Sequence, residues 1–282
     1  MIPINYINTL IELAYQEDVG SGDYSSLSTI SHTSKGKTKL LVKQEGILAG
    51  VEVAKSVCNY FSKDLTLEIF INDGAEIKVG DIVFYLSGYQ LDLLKVERTL
   101  LNFMQRMSGI ATETNRYVKR LEGLHTKVLD TRKTTPGLRY IEKEAVRIGG
   151  GTNHRVGLFD MIMLKDNHID FCAGIENAIK NAKKYIIENN LNLQIEVETR
   201  SFDDIEKVLQ IGGIQRIMFD NFSIEDTKIA VKIVNSKFET ESSGNINLNN
   251  IREYAECGVD FISVGALTHH INSLDLSLKK IE

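Results

Sequence analysis

Between Asp130 and His168 the chain reads DTRKTTPGLRYIEKEAVRIGGGTNHRVGLFDMIMLKDNH. Arg132, Lys133, Arg139, Lys143, Arg147, His154, Arg155 and Lys165 crowd around a Gly-Gly-Gly turn. Like charges repel and each loses hydration on burial, so folding alone gives no reason to collect them. A multiply anionic ligand does. Arginine's planar fork grips carboxylate or phosphate at two points, and lysine adds a compact charge. For any single cation, pairing with Asp130, Asp160 or Asp166 is an equally good account. For the group it is a poor one, because the nearby cations outnumber the anions.

Other residues extend this chemistry. Glu198 and Asp220 end consecutive apolar runs, so both carboxylates face one pocket if those runs are neighbouring strands. Carboxylates facing a pyrophosphate suit Mg²⁺, which takes few protein ligands and keeps water and phosphate oxygens around it. Pairing with Lys165 or Arg155 is the plainer alternative. The turns Ser242-Ser243-Gly244-Asn245 and Ser263-Val264-Gly265-Ala266 offer small side chains and backbone amides, the usual makings of a phosphate site. The Gly149–Gly151 turn could bring several N–H groups to an anion, although a triple glycine is more often only a loop. His154 by itself reads as a hydrogen-bonded histidine as readily as a ligand.

These residues need elements to position them. The chain has 282 residues, 43% hydrophobic and 25% charged, with a net charge of -5. That length suits a large α/β domain, or a barrel with a smaller companion. The acidic balance argues against general nucleic-acid binding. Residues 95–165 nevertheless hold 14 Lys and Arg against 7 Asp and Glu, while the remainder holds 19 against 31. A cationic middle in an acidic chain points to one focused anion site. Cys58, Cys172 and Cys257 have neither metal-ligand nor disulfide spacing, which suits a reducing cytoplasm. MIPINYINTLIELAYQEDVG has no signal-peptide pattern, and no apolar run approaches the ~20 residues of a membrane span.

Apolar spacing predicts a helix over 5–17, followed by an acidic Gly-rich loop, EDVGSGDYSS. Strands are expected at 37–43, 47–53 and 65–71, a helix at 54–61, and a hairpin over 76–88 cornering at Val79-Gly80-Asp81. A long helix follows through Leu100, Phe103, Met104, Met107, Ile110, Tyr117 and Leu121, with a possible break at Ser108-Gly109. Arg98 near its start reads as an ordinary solvated charge. Six short strands come next, at 127–130, 161–164, 194–198, 216–219, 237–242 and 261–265. Helices at 172–189, 202–211, 223–234 and 247–257 separate most of them. Such alternation implies parallel strands with helical crossovers, whose carboxyl ends meet on one face. Six strands make an incomplete β/α barrel. No Gly-x-Gly-x-x-Gly follows the first strand, so a dinucleotide-binding fold has no support.

ERTLLNFMQRMSGIAT (97–112), DTRKTTPGLR (130–139), AVRIGGGTNHRVGLFDMIMLKDNHI (145–169), EVET (196–199), FDN (219–221), ESSGNI (241–246) and ISVGALTH (262–269) together resemble the quinolinate phosphoribosyltransferases. The likeness runs from EDVGSGD (17–23) through nearly the whole chain. It implies an α/β fold with an N-terminal α/β sandwich (1–104) beside an incomplete barrel (105–269), and a tail (270–282) that packs back on the sandwich. It implies a homodimer, or a hexamer built as a trimer of dimers, in which Arg98 reaches the neighbour's site. By the same resemblance Arg132, Lys133, His154, Arg155 and Lys165 bind substrate. Lys133, Lys165, Glu198 and Asp220 are catalytic, and Glu198 and Asp220 also lie near ribose and Mg²⁺. Ser243, Gly244, Asn245, Val264, Gly265 and Ala266 hold the 5′-phosphate. Three positions depart from the family pattern: Asn245 replaces a second glycine, His270 a serine, and Tyr24-Ser25-Ser26 a threonine-containing segment.

The implied reaction joins quinolinate to phosphoribosyl pyrophosphate and releases pyrophosphate and carbon dioxide, as in NAD biosynthesis in the cytoplasm. A pocket of five or six cations nearly matches that load of anionic groups. Alternatives are transfer to another base, a Schiff-base aldolase using Lys165, and a non-enzymatic anion binder.

Overall fold

The structure is a computed structural model and describes residues 2–281. They form two compact units. The first takes in the chain up to Asn115, Thr134–Gly150 and the stretch from Leu267; the second comprises Arg116–Lys133 and Gly151–Ala266.

In chain order the elements begin with α1 (Ile4–Asp18), α2 (Tyr24–Thr29), β1 (Lys35–Val42), β2 (Gly46–Ile47), α3 (Val51–Phe61), β3 (Thr66–Ile69), β4 (Glu76–Ile77), β5 (Ile82–Tyr89) and α4 (Gln90–Arg120). They continue with β6 (Lys127–Leu129), α5 (Arg139–Ile148), β7 (Ile162–Leu164), α6 (Asp166–Phe171), α7 (Ile175–Glu188), β8 (Ile195–Thr199), α8 (Phe202–Ile211), β9 (Arg216–Asp220) and α9 (Ile224–Val234). The last are β10 (Glu239–Ser243), α10 (Ile251–Glu256), β11 (Phe261–Ser263), α11 (Ala266–His269) and β12 (Leu276–Lys280).

An antiparallel sheet ordered β12-β1-β5-β3 builds the first unit. Its core includes Leu40, Phe84 and Leu86, fully buried. The strand expected over 47–53 is cut short at Ile47. Gly50 takes φ 106°, and the Asp73 carboxylate accepts the Val51 N–H at 2.8 Å, so a helix starts instead. The hairpin expected over 76–88 is not formed either. β4 pairs with β2, while β5 pairs with β1 and β3, so the turn at Gly80 joins two sheets. Helix α4 runs unbroken through Ser108-Gly109, and also across the expected 104/105 cut. The Ser108 hydroxyl accepts the Ala49 N–H and donates to the Ala49 carbonyl. A Cβ on Gly109 would stand 2.2 Å from the Asn272 carbonyl oxygen. This glycine serves a close approach, not a kink.

Six parallel strands ordered β6-β11-β10-β9-β8-β7 build the second unit, the incomplete barrel of the sequence expectation. Thr152 bridges Leu129 on the free side of β6, so the glycine-rich loop covers that edge. Every residue of β8 is buried, as in sheets covered on both faces. The helix expected over 172–189 starts only at Ile175, as α7, because Ala173 and Gly174 take positive φ, 57° and 123°, and the short α6 before them was not expected. Among the described residues, no helix is long and apolar enough to cross a membrane.

Candidate active site

The strand period sets the site. On β8, Ile195, Val197 and Thr199 share one face, while Glu196 and Glu198 share the other. Glu198, at the carboxyl end, is buried and bound to the neighbouring strand's exit. Lys165 follows β7, and its Nζ lies 3.4 Å from Glu198 Oε2. The Asp166 N–H approaches Glu198 Oε1 at 3.5 Å. The Lys165 N–H donates to His168 Nδ1 at 3.0 Å, which fixes the start of α6. Lys165 itself is exposed, so an anion can reach it.

Asp130 ends the run that begins with β6 and is fully buried. Its carboxylate accepts the His154 N–H at 2.8 Å and the Asn153 amide at 2.6 Å. One buried acid thus ties the glycine-rich loop to the strand end. Arg155 follows, buried, with Nη1 donating to the Met161 carbonyl at 3.2 Å. Burial pulls its guanidinium below the ordinary arginine range, and the neighbouring Arg132 charge adds to this. Those two arginines feel each other, as expected of a pocket made for anions. Asp160 accepts the Val156 and Gly157 N–H groups at 2.7 and 2.9 Å, shaping the loop that carries Arg155.

Beneath lies a cluster of buried charge. His154 Nε2 is 2.9 Å from Glu196 Oε2 and 3.5 Å from Glu241 Oε2, and Arg216 Nη1 is 3.0 Å from Glu241 Oε2. Burial opposes a charged His154, but the two carboxylates prevail and raise it to about 9. Burial and the Glu241 charge push Glu196 up to about 7. Glu241 is likewise pushed up by burial, yet His154 and Arg216 hold it below its usual value. His154 Nδ1 accepts the Arg155 N–H at 2.7 Å, which requires that nitrogen to be unprotonated. The geometry and the raised values agree if the three groups share one proton.

The phosphate-type turns sit at the ends of β10 and β11. Gly244 takes φ 98° and Asn245 φ 52°. The Asn221 amide donates to Asp220 Oδ2 at 2.9 Å, and its carbonyl oxygen accepts the Asn245 amide at 3.3 Å. Asn221 thus joins the Asp220 carboxylate to the turn. Val264 is buried, while Gly265 and Ala266 are half-buried after β11.

Of the sequence-derived residues, Arg132, Lys133, His154, Arg155, Lys165, Glu198, Asp220, Ser243, Gly244, Asn245, Val264, Gly265 and Ala266 all belong to the second unit. Arg98 is exposed on α4 in the first. Arg139, Lys143 and Arg147, counted with the opening cations, also lie in the first unit, on α5. Arg139 donates to Thr134 Oγ1 at 3.1 Å, and Arg147 pairs with Glu144 at 2.6 Å. Sequence reasoning missed Glu196, Arg216 and Glu241, and gave Asn221, at the strand end beside Asp220, no role of its own. The alternation in IEVET put Glu196 on the same face as Glu198, a signal that was available.

Comparison with known proteins identifies the family and the fold. The family description "Quinolinate phosphoribosyl transferase, N-terminal domain" matches residues 23–108, and the corresponding C-terminal domain matches residues 110–279. The chain is 41% identical to the chloroplastic nicotinate-nucleotide pyrophosphorylase [carboxylating] of Arabidopsis thaliana, covering 98% of this chain and 83% of that one. It is 38% identical to a probable nicotinate-nucleotide pyrophosphorylase [carboxylating] of Bacillus subtilis, covering 96% and 92%. The crystal structure of NadC from Streptococcus pyogenes superposes with a TM-score of 0.94 at 38% identity, covering 100% of this chain and 99% of that one. The chain belongs to the quinolinate phosphoribosyl transferase family.

Proposed function

We propose that this chain transfers the phosphoribosyl group of phosphoribosyl pyrophosphate to quinolinate with decarboxylation, giving nicotinate mononucleotide, pyrophosphate and carbon dioxide in de novo NAD biosynthesis. One observation carries the reading: cations, two carboxylates and two small-residue turns all lie in the unit whose parallel strands end together. Quinolinate brings two carboxylates, which Arg132, Arg155 and Lys165 are suited to hold. Ser243, Gly244, Asn245, Val264, Gly265 and Ala266 receive the 5′-phosphate.

The anomeric C–O bond breaks, and its electron pair leaves with pyrophosphate. Glu198 and Asp220 favour the positive charge that develops on the ribose, an effect stronger in the transition state than in the ground state. The ring nitrogen lone pair forms the new bond to the anomeric carbon. The bond to the adjacent carboxylate then breaks, carbon dioxide leaves, and the electron pair stays beside the pyridinium nitrogen until a proton arrives. Lys165, drawn to Glu198 at rest, is placed to turn to the incoming anion. Lys133 is exposed just beyond β6 and adds charge at the entrance. Glu198 and Asp220 offer hard oxygen donors at the ends of adjacent strands, which fits Mg²⁺. When bound, that ion neutralises charge on the leaving pyrophosphate.

The protein works as a homodimer, or as a trimer of dimers, with the partner subunit's Arg98 completing the pocket. The exposure of Arg98 on α4 supports this. Three free cysteines support a reducing, cytoplasmic setting. Arg132→Ala and Lys165→Ala should each abolish turnover without lowering the melting temperature by more than a few degrees. Near-normal activity in either sinks the assignment. Mixing Arg98→Ala with Arg132→Ala subunits should restore part of the activity; no recovery after confirmed subunit exchange contradicts the shared site.

A further inference from the structure

The second unit buries charged side chains that the transfer reaction does not use. Register sets Glu196, Arg216 and Glu239 abreast on β8, β9 and β10, with Glu241 two residues further along. The Arg216 guanidinium lies 3.9 Å over the Phe261 ring and pairs with Glu239 at 3.0 Å. It stands 3.0 Å from Glu241 and 3.9 Å from Glu196. Both of these carboxylates are fully buried. Burying ions costs several kcal/mol each even when they are paired, and well-packed apolar residues often do better. Stability is therefore a poor reason for this cluster.

His154, Glu196 and Glu241 offer three ligand atoms within 4.8 Å of one another, which resembles a divalent cation site. Arg216 argues against one. Its guanidinium already supplies the cation, and a second positive charge beside it in a low-dielectric interior would be repelled. What the cluster does hold is the imidazole. Nε2 lies 2.9 Å from Glu196 and 3.5 Å from Glu241, while Nδ1 takes the N–H of Arg155.

We propose that Glu196, Glu241 and Arg216 are positioning residues: they lock the His154 ring, and His154 fixes the main chain of Arg155 where a quinolinate carboxylate arrives. This rests on the transfer reaction proposed above. Asp130 holds the loop as far as the His154 N–H, and His154 Nδ1 is the contact that fixes the next main-chain N–H, that of Arg155. A two-point arginine contact loses much of its value when displaced by about 1 Å.

A double-mutant cycle tests the chain of contacts, using full-length enzyme with quinolinate, phosphoribosyl pyrophosphate and Mg²⁺. Glu241→Gln should raise KM for quinolinate about tenfold and leave KM for phosphoribosyl pyrophosphate within about twofold. In a His154→Ala background the same substitution should change KM for quinolinate by less than about twofold. Equal factors in both backgrounds, or both KM values rising together, would overturn the proposal. So would one equivalent of divalent metal in purified protein that Glu241→Gln removes. If Glu241→Gln does not fold, the charge-balanced Glu241→Gln/Arg216→Gln pair goes through the same cycle. If wild-type enzyme binds quinolinate but forms no nucleotide, the transfer reading fails alone. The cycle then runs on Kd for quinolinate: a rise that His154→Ala suppresses supports the positioning role, and equal factors in both backgrounds overturn it.

Discussion

Gly244→Ala probes the phosphate turn with a single methyl group. The added Cβ would lie 2.2 Å from Asn221 Oδ1, 2.6 Å from its Cγ and 3.0 Å from its backbone nitrogen. The side chain could swing away only by giving up its bonds to Asp220 and Asn245. The backbone nitrogen is less free, because it donates to the Ser243 carbonyl at 2.8 Å. Alanine at φ 98° adds roughly 1–3 kcal/mol of backbone strain. Forcing an extra methyl into a packed site typically costs a further ~1–3 kcal/mol. Part of the total is relieved when the turn opens, so we expect about 2 kcal/mol to appear as lost phosphate binding. That is a rise of about thirtyfold in KM for phosphoribosyl pyrophosphate. Initial rates of pyrophosphate release, with each substrate varied in turn, measure it. KM for quinolinate should stay within about threefold, since its cations lie on other loops. A KM for phosphoribosyl pyrophosphate unchanged within twofold would refute both the clash and the turn's role.

Two further outcomes concern stability. Gly109→Ala gains helix propensity of about 1 kcal/mol but drives a methyl against the Asn272 carbonyl at 2.2 Å. A net loss of about 1–2 kcal/mol is expected, read as a lower melting temperature by calorimetry; a rise would show that the approach is loose. The buried proton makes stability depend on pH. The cluster of His154, Glu196 and Glu241 holds its shared proton up to about pH 9 against 6.5 for a free imidazole, so that contribution is complete below pH 6.5 and is lost as pH rises through 9. The loss is on the order of 3 kcal/mol. Urea denaturation at pH 6.5 and 9.5 should show it; equal stability at the two values would mean that the cluster holds no such proton.

The barrel was legible because its strands are short apolar runs ended by polar residues, and the parallel pairing follows from the intervening helices. The strand-end rule alone brought Lys165, Glu198 and Asp220 to one rim. Helix α5 was not seen, although Ile141, Ala145 and Val146 bury one face of it. The cations on its other positions drew attention to ligand chemistry, and so Arg139, Lys143 and Arg147 were grouped with a pocket built in a different unit. Val51 looked like strand because β-branched residues favour strands. One glycine at positive φ and one distant Asp73 carboxylate made it the start of a helix, and neither acts through local propensity. Glu196, Glu241 and Arg216 were hidden for a related reason. A charge in a strand reads as a solvent-facing position until the sheet is known to be covered on both faces.

The central claim is that one turnover couples glycosyl transfer to decarboxylation. It is tested most directly by incubating the enzyme with carboxyl-labelled quinolinate, phosphoribosyl pyrophosphate and Mg²⁺ and quantifying all products together. We expect carbon dioxide, pyrophosphate and nicotinate mononucleotide in equal amounts, and none of them when either substrate is left out. Carbon dioxide released without phosphoribosyl pyrophosphate, or quinolinate bound with no product formed, would contradict the account.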